Sequence, residues 1–309
     1  AIGTVFLRRQ RTLAYPLIDL RLFRAPAFSA SVATNTFAFF VLFGVFLFMA
    51  QYLQLVLGLS PLQAGLWTVP SSLGFMVGSM ATPLILRRVR PAFAMAAGLM
   101  LGAAGFLVLV GLEGTSGLAV LVTGSVVFSL GLAPVYIIAT DLIVASAPPA
   151  RAGAASAISE TGTEFGAALG IAILGSIGAA TYRRAMTEAV PDGVSPEAAE
   201  AARGTLGGAL TAAERLPDQI GAALLGTARE AFAQGLQLTA VTSAIVVTAL
   251  AILAVVLLRH VRAGGDAGML PDPDGTAVAG STGVEKASAA ARRRRASGDG
   301  SALATQIEE

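Results

Sequence analysis

The sequence contains no cysteine and a single histidine, His260. Without cysteine there can be no disulfide, no thiol catalysis and no cysteine-ligated zinc or iron–sulfur site. One histidine cannot build a multi-histidine metal site. We therefore expect neither a metal nor any other cofactor.

Charge is also scarce. Charged residues make up 13% of the 309 residues and hydrophobic residues 55%, whereas a soluble domain carries about 25% charged residues. Mean hydropathy is +0.73. So few charges cannot cover the surface of a soluble protein, which excludes an ordinary soluble enzyme. The net charge is only +2, and no nucleic-acid partner is expected.

Long runs lack Asp, Glu, Lys and Arg altogether, among them residues 25–86 and 234–258. About 20 helical residues cross a bilayer, so the first run is long enough for two spans and the second for one. Proline, glycine and charged residues divide the remainder. The sequence predicts an all-α membrane protein with six transmembrane helices, at residues 30–53, 62–86, 92–112, 118–143, 153–181 and 236–258.

The remaining segments are connectors and ends. Residues 1–29 are interpreted as the end of a preceding helix and a basic connector, so the chain is expected to be part of a longer protein. Ser60 and Pro61 predict an N-cap and a first helical position. Residues 182–235 are predicted to form a long loop with two short amphipathic helices, broken near Pro217. Residues 259–309, which include the arginine block 292–295, are predicted to be a disordered basic tail.

Basic residues predict the orientation. They concentrate in the first connector, after the second span and in the tail, whereas the short loops on the other side carry none. Cytoplasmic segments are enriched in Lys and Arg. We therefore expect a multi-pass protein of the plasma membrane with both ends in the cytoplasm and residues 182–235 outside the cell.

Small residues recur at four-residue spacing in the fifth span, at Gly162, Gly166 and Gly170. Glycines at this spacing let two membrane helices approach closely. The pattern predicts a helix-packing face. A second interpretation is a smooth interface along which helices slide during transport.

Three acids lie within predicted spans, namely Asp141, Glu160 and Glu164. A carboxylate in hydrocarbon is unfavourable and should face the bundle interior or a water-filled cavity. Glu160 and Glu164 are one turn apart, about 200° round the helix from the glycines at 100° per residue. Glu164 is expected to be the deepest, able to exchange a proton or hold a cation. Structural roles are the alternative, as a helix-end acid or partner of Arg151 for Asp141, a near-interfacial acid for Glu160 and a buried hydrogen bond for Glu164.

Polar residues in the first span offer further candidates. Asn35, Gln51 and Gln54 could hydrogen-bond across helices or line a cavity. The phenylalanines of this span are expected to pack or to face lipid more than to form a drug pocket.

One short motif favours an enzyme. Residues 114–117 match the G-x-S-G pattern of intramembrane serine proteases. However, Ser116 and His260 are predicted on opposite sides of the membrane, about 30 Å apart, so no nucleophile–base pair can form. We do not expect an enzyme.

Several segments together resemble a known family. They are QYLQ at 51–54, GLSPLQAGL at 58–66 with Pro70, PPARAGAAS at 148–156, SETGTEFG at 159–166 and EAF at 230–232. In this order they resemble the EmrB/QacA-type branch of the major facilitator superfamily, the fourteen-helix drug:proton antiporters. The resemblance covers about residues 16–262.

The resemblance implies the C-terminal half of such a transporter, built from two inverted three-helix repeats. Its proton-coupling and substrate-binding acids would fall on Glu160 and Glu164, with Asp141 as a weaker candidate. The implied partners are the lipid bilayer, protons, a small lipophilic or cationic substrate, and a missing N-terminal half. The implied function is proton-driven efflux of drugs or natural products. The alternative is a non-transporting six-span scaffold whose outer loop binds a partner.

Overall fold

The computed structural model describes residues 21–112, 117–191 and 193–259. Within these ranges the chain is helical and contains no β-strand. The α-helices are α1 (Pro26–Gln51), α2 (Pro61–Leu86), α3 (Pro91–Val108), α4 (Leu118–Ala145), α5 (Ala152–Ala189), α6 (Pro196–Gly204), α7 (Leu206–Ala213) and α8 (Asp218–Leu258).

Six of these helices, α1 to α5 and α8, are long and apolar enough to cross a membrane. A π-helical turn, Tyr52–Val56, continues α1, and a 3-10 turn, Leu109–Gly111, continues α3. The all-helical membrane fold predicted from the sequence is therefore confirmed for the described residues.

The start of α2 shows how local sequence sets a helix boundary. Ser60 has an extended backbone, and its hydroxyl accepts a hydrogen bond from the Gln63 backbone N–H at 3.3 Å. The Gln63 side chain accepts one from the Ser60 backbone N–H at 3.0 Å. This reciprocal capping box satisfies two amides that a helix start leaves unpaired. The predicted N-cap at Ser60, followed by Pro61, is confirmed.

The bundle has a front row and a back pair. α2 packs against α4, α4 against α1, and α1 against α5, so these four helices form a row in that order. α3 packs on α4 and α8, and α8 also packs on α1 and α5. The pair α3 and α8 therefore lies behind α4 and α1. No described helix covers the front of the row.

The helices α5 and α8 continue well beyond the spans expected at 153–181 and 236–258. With 41 residues, α8 is about 60 Å long, roughly twice the hydrocarbon thickness of a bilayer. The Gln237 amide donates a hydrogen bond to the Leu112 carbonyl at 2.7 Å, which places Gln237 level with the end of α3. The preceding part of α8 projects past that level. Alanine and leucine dominate this part, and they favour helix over loop.

Helices α6 and α7 pack on each other, and they contact the projecting ends of α5 and α8. The Tyr182 hydroxyl of α5 donates a hydrogen bond to the Ala202 carbonyl of α6 at 2.7 Å in a buried setting. Leu206 and Ala209 of α7 and Leu224 of α8 are buried in the same cluster. Much of the 182–235 segment is therefore folded helical structure. α8 begins at Asp218, directly after Pro217.

Some expectations lie outside the described residues. They concern the helix end and first part of the connector at 1–20, the serine of the G-x-S-G motif, His260, and the basic tail at 260–309.

Candidate functional site

The glycines of α5 form its contact with α1. A Cβ atom at Gly166 or Gly170 would overlap the backbone carbonyl oxygen of Thr36 or Phe40, respectively. A Cβ atom at Gly162 would come within 2.7 Å of the Thr36 hydroxyl oxygen. Only glycine allows the two backbones to lie this close, as expected for small-residue packing in membranes. We call this contact the glycine seam.

Asn35 of α1 forms a hydrogen bond beside the glycine seam. Its side-chain amide nitrogen donates to the Thr163 hydroxyl at 2.8 Å and lies 3.5 Å from the Ser159 hydroxyl. Asn35 is 1% exposed. Of the two roles expected for this residue, the structure therefore places it in a cross-helix hydrogen bond.

Three oxygen atoms on this part of α1 are buried without a hydrogen-bond partner among the described residues. They are Oγ of Ser31, Oγ1 of Thr34 and Oδ1 of Asn35. Positions i, i+3 and i+4 of a helix are neighbours on one face. This stretch of α1 is therefore polar inside the bundle, although the helix carries no charge.

The other two polar candidates of the first span lie at its far end. Gln51 is half-buried in the last turn of α1. Gln54 lies in the π-helical turn, is exposed, and donates to the Ala50 carbonyl of its own helix at 3.4 Å. Of the three, only Asn35 has a described hydrogen bond to α5.

Glu160 and Glu164 lie on the exposed surface of α5, facing away from the glycine seam. Gly166 follows Glu164 by two residues, which corresponds to a rotation of about 200° at 100° per residue. Glu164 is exposed within this chain because no described helix packs over that face, and its position as the deepest acid facing a cavity stays a prediction. The carboxylates share one face, as predicted.

Asp141 lies on a different helix. It is exposed on α4, four residues before that helix ends at Ala145. α4 and α5 touch over a small area near the connector that joins them. The structure thus separates Asp141 from the pair on α5, because α1 lies between α4 and α5 in the front row.

An aromatic group occupies the front of the row. Phe39 stacks on Phe43 with ring centroids 6.0 Å apart, and Tyr136 of α4 meets Phe39 edge-on at 5.4 Å. Phe75 of α2 lies 6.5 Å from Tyr136. We call these four residues the aromatic group.

A cavity of about 230 Å³ lies beside the aromatic group, between α1, α2 and α4. Its walls combine rings and hydroxyls, among them Phe43, Phe46, Phe75, Ser71, Ser72 and Ser129. Phe43 and Phe46 are 39% and 43% exposed. Such a surface can hold a flat apolar or cationic molecule by stacking and cation–π attraction.

Tyr136 and the serines of α2 and α4 are not among the site residues predicted from the sequence. Apart from the three acids, the predicted polar candidates lie in the first span, whose phenylalanines are expected mainly to pack or to face lipid. The available signal was a tyrosine two residues after Pro134 within a predicted span. No group of three or more potential metal ligands occurs in the described part of the chain.

Residues 5–171 match the sequence profile of the Major Facilitator Superfamily. The chain belongs to the major facilitator superfamily. Together with six helices able to cross a membrane, this makes it a multi-pass membrane protein and a transporter-family member rather than an enzyme.

Three curated relatives of this major facilitator chain have names that refer to export or resistance. Multidrug efflux pump LfrA of Mycolicibacterium smegmatis is 40% identical over 258 residues, covering 84% of this chain and 51% of the pump. The tetracenomycin C resistance and export protein of Streptomyces glaucescens is 32% identical over 170 residues, 55% of this chain and 32% of that protein. Methyl viologen resistance protein SmvA of Salmonella typhimurium is 31% identical over 234 residues, 74% and 46%.

The chain therefore spans about half the length, or less, of the curated relatives it matches. This bears on the exposed faces described above. α2 and α5 are the least buried and the least apolar of the six candidate spans. A helix that faced lipid over most of its surface would need to be among the most apolar. In this major facilitator chain, by contrast, the two least buried spans, α2 and α5, are the least apolar.

Proposed function

We propose that this chain is the C-terminal six-helix half of a drug:proton antiporter of the EmrB/QacA type. Its two groups of three spans would be the inverted repeats of such a half. The whole protein would export lipophilic, mostly cationic, drugs or natural products across the cell membrane. The names of the relatives support this substrate class, since they refer to multidrug efflux, tetracenomycin C and methyl viologen, an aromatic dication.

One observation carries the proposal: two carboxylates one turn apart on the uncovered face of a membrane-spanning helix. Glu160 and Glu164 lie within a candidate span and have no ion-pair partner among the described residues. Ionisable groups inside a membrane face protein or water rather than lipid, because hydrocarbon does not solvate them. The face that carries them therefore borders a cavity or the other half of the transporter.

In the proposed mechanism Glu164, assisted by Glu160, alternates between a protonated and an ionised state. Protonation removes the charge and favours one orientation of the transport cavity. Loss of the proton leaves an anionic site that attracts a cationic, lipophilic substrate. Asp141, on α4 of the same front row, is the weaker candidate for the same role. Rocking against the N-terminal half then exchanges access between the two sides of the membrane.

The aromatic group and its cavity supply the apolar part of the site. Rings favour flat, hydrophobic cations by stacking and by their negative faces. The serine hydroxyls beside them tolerate different polar substituents without fixing one orientation. This combination fits a transporter of many related compounds better than one specific for a single solute.

The orientation proposed from the basic residues places both ends of the chain in the cytoplasm. Helices α6 and α7 and the projecting parts of α5 and α8 would then lie outside the cell. Protons and the drug are exchanged between the two sides of the membrane. The lipid bilayer contacts the surfaces of α3 and α8 that point away from the front row.

The experiment is efflux of a fluorescent lipophilic cation from cells that produce the full-length protein. We expect Glu164→Gln to abolish proton-coupled efflux while the protein still inserts in the membrane. Glu188→Gln is the matched control, because Glu188 lies on the same helix in an exposed pair with Arg184 at 3.7 Å. Normal efflux by the Glu164 variant would remove this residue from the mechanism. Absence of substrate-dependent proton movement by the unaltered protein in vesicles would instead favour the scaffold role.

A further inference from the structure

Asn35 is the only asparagine in the 309 residues, and it lies inside the bundle rather than at a helix end or in a turn. Its amide contacts α5, the helix that carries both candidate carboxylates. We propose that Asn35 is a positioning residue. By holding Thr163 it fixes the rotation of α5 about its own axis, and so the direction in which Glu160 and Glu164 point. The inference rests on the proposed role of these two glutamates.

The glycine seam restrains the distance between α1 and α5 more strongly than the rotation of α5. At Gly166 and Gly170 the neighbouring surface is the backbone of Thr36 and Phe40. Such contact sets the distance between α1 and α5 and excludes large rotations of α5, which would bring a Cβ atom against this backbone. Van der Waals packing has no strong directional preference and leaves small rotations free. A hydrogen bond weakens steeply when its angle departs from linear. The bond from Asn35 to Thr163 therefore adds the directional restraint that the glycine seam lacks.

The second step is the register of α5. The sequence from 159 to 164 is Ser-Glu-Thr-Gly-Thr-Glu. Ser159 and Thr163, the two hydroxyl residues that Asn35 approaches, each come directly before a glutamate. Each hydroxyl thus lies about 100° from the carboxylate that follows it. Rotation of α5 by one residue, about 100°, would bring each glutamate to the position that the preceding hydroxyl residue now occupies beside Asn35. The hydrogen bond from Asn35 to Thr163 opposes this rotation.

The third step is the surroundings of the amide. Ser31, Thr34 and Asn35 are all buried, and each keeps an oxygen without a partner among the described residues. A leucine at position 35 would avoid one such unmet bond and would suit an apolar span. An amide is therefore a poor choice for packing alone. It is suited to hydrogen-bonding the hydroxyls of Thr163 and Ser159 in a defined direction.

The helices around this stretch leave few other groups that titrate. α1 contributes only Tyr52, and residues 234–258 of α8 contribute none. α4 contributes Tyr136 and Asp141. Among the described spans around this stretch, the carboxyl groups are therefore those of Glu160, Glu164 and Asp141.

The first experiment measures the rotation directly by cross-linking. The Cβ position of residue 162 lies 2.7 Å from Oγ1 of Thr36, and the chain has no native cysteine. Thr36→Cys with Gly162→Cys in the full-length protein, with any other cysteine replaced, should therefore oxidise readily to a disulfide. A protease site placed in the 146–150 connector separates cross-linked from free protein on a gel.

Adding Asn35→Leu should slow this cross-linking about three- to twentyfold, the population change equivalent to one interhelical hydrogen bond in a membrane. Thr163→Val should have the same effect and Thr163→Ser, which keeps the hydroxyl, should not. The combination of Asn35→Leu and Thr163→Val should be no slower than either alone. Thr161→Val is the matched control, because the Thr161 hydroxyl bonds the Ala157 carbonyl of its own helix at 2.8 Å.

The second experiment is the pH profile of efflux for the same substitutions without the cysteines. We expect Asn35→Leu and Thr163→Val to shift the pH of half-maximal efflux, and Thr163→Ser and Thr161→Val to keep it. Unchanged cross-linking in both Asn35→Leu and Thr163→Val would overturn the proposal. So would slowed cross-linking with an unshifted pH profile. Slowed cross-linking together with normal efflux by Glu164→Gln would instead contradict the role of the glutamate and leave the positioning of α5 intact.

Discussion

The glycine seam allows a sharp test of how α1 and α5 are held together. Replacing Gly170 with alanine adds a Cβ atom 2.8 Å from the carbonyl carbon and 3.0 Å from Cα of Phe40. These are backbone atoms and cannot rotate away, so the helices must separate. Overpacking of this kind destabilises by about 1–3 kcal/mol. The gain from replacing a helical glycine, about 0.5–1 kcal/mol, offsets part of it.

Gly153→Ala is the matched control. Gly153 lies on the same helix, and nothing surrounds its Cβ position within 4 Å. It should therefore show only the stabilisation from helix propensity. Because both variants gain the same helix propensity, they should differ by the overpacking penalty alone, about 1–3 kcal/mol in free energy of unfolding. Unfolding of the purified protein in mixed detergent–dodecyl sulfate micelles, followed by circular dichroism, measures this difference. Equal stability of Gly170→Ala and Gly153→Ala would refute the close packing of α5 on α1.

Three further outcomes are expected. Ser60→Ala removes half of the capping box and should destabilise the start of α2 by about 1 kcal/mol. The measurement is faster amide hydrogen exchange in the first turn of α2. Tyr182→Phe deletes the bond to the Ala202 carbonyl and should cost about 1 kcal/mol, seen as faster proteolysis between residues 190 and 217. Tyr136→Leu removes one ring of the aromatic group and should raise the KM for lipophilic cations about tenfold, equivalent to 1.4 kcal/mol of binding, while leaving the amount of protein in the membrane unchanged.

Local features of the fold were predictable because they depend on neighbours in the sequence. Charge-free runs longer than 20 residues predict membrane helices without knowledge of what they pack against. The Ser60-Pro61 start needs only the first turn of α2. The opposite placement of Gly166 and Glu164 on α5 follows from helix periodicity alone.

Pairings between helices were not predictable in the same way. Nothing in the periodicity of α5 indicates that its glycines meet α1 rather than α8, and nothing near Asn35 in the sequence points to Thr163, which lies 128 positions away. Tyr136 joins the aromatic group only because α4 lies between α1 and α2. The projection of α8 beyond the bilayer depends on packing with α7, since alanine-rich sequence favours a helix but does not require one.

The face of α5 that carries the glutamates also shows why burial was expected and not found in this chain. The glutamates avoid lipid only if another part of the protein packs over this face of α5. That part need not belong to the same half of the transporter. The two least apolar spans, α2 and α5, are also the two with the smallest buried share, so both leave a large surface that the rest of the chain does not cover. If α2 and α5 border the other half, a lipid-dissolved photoreactive probe should label the exposed face of α8 in the full-length protein much more strongly than that of α2 or α5. Equal labelling of all three would place the glutamates against lipid, where an ionised carboxylate is destabilised by several kcal/mol, and would contradict their role in transport.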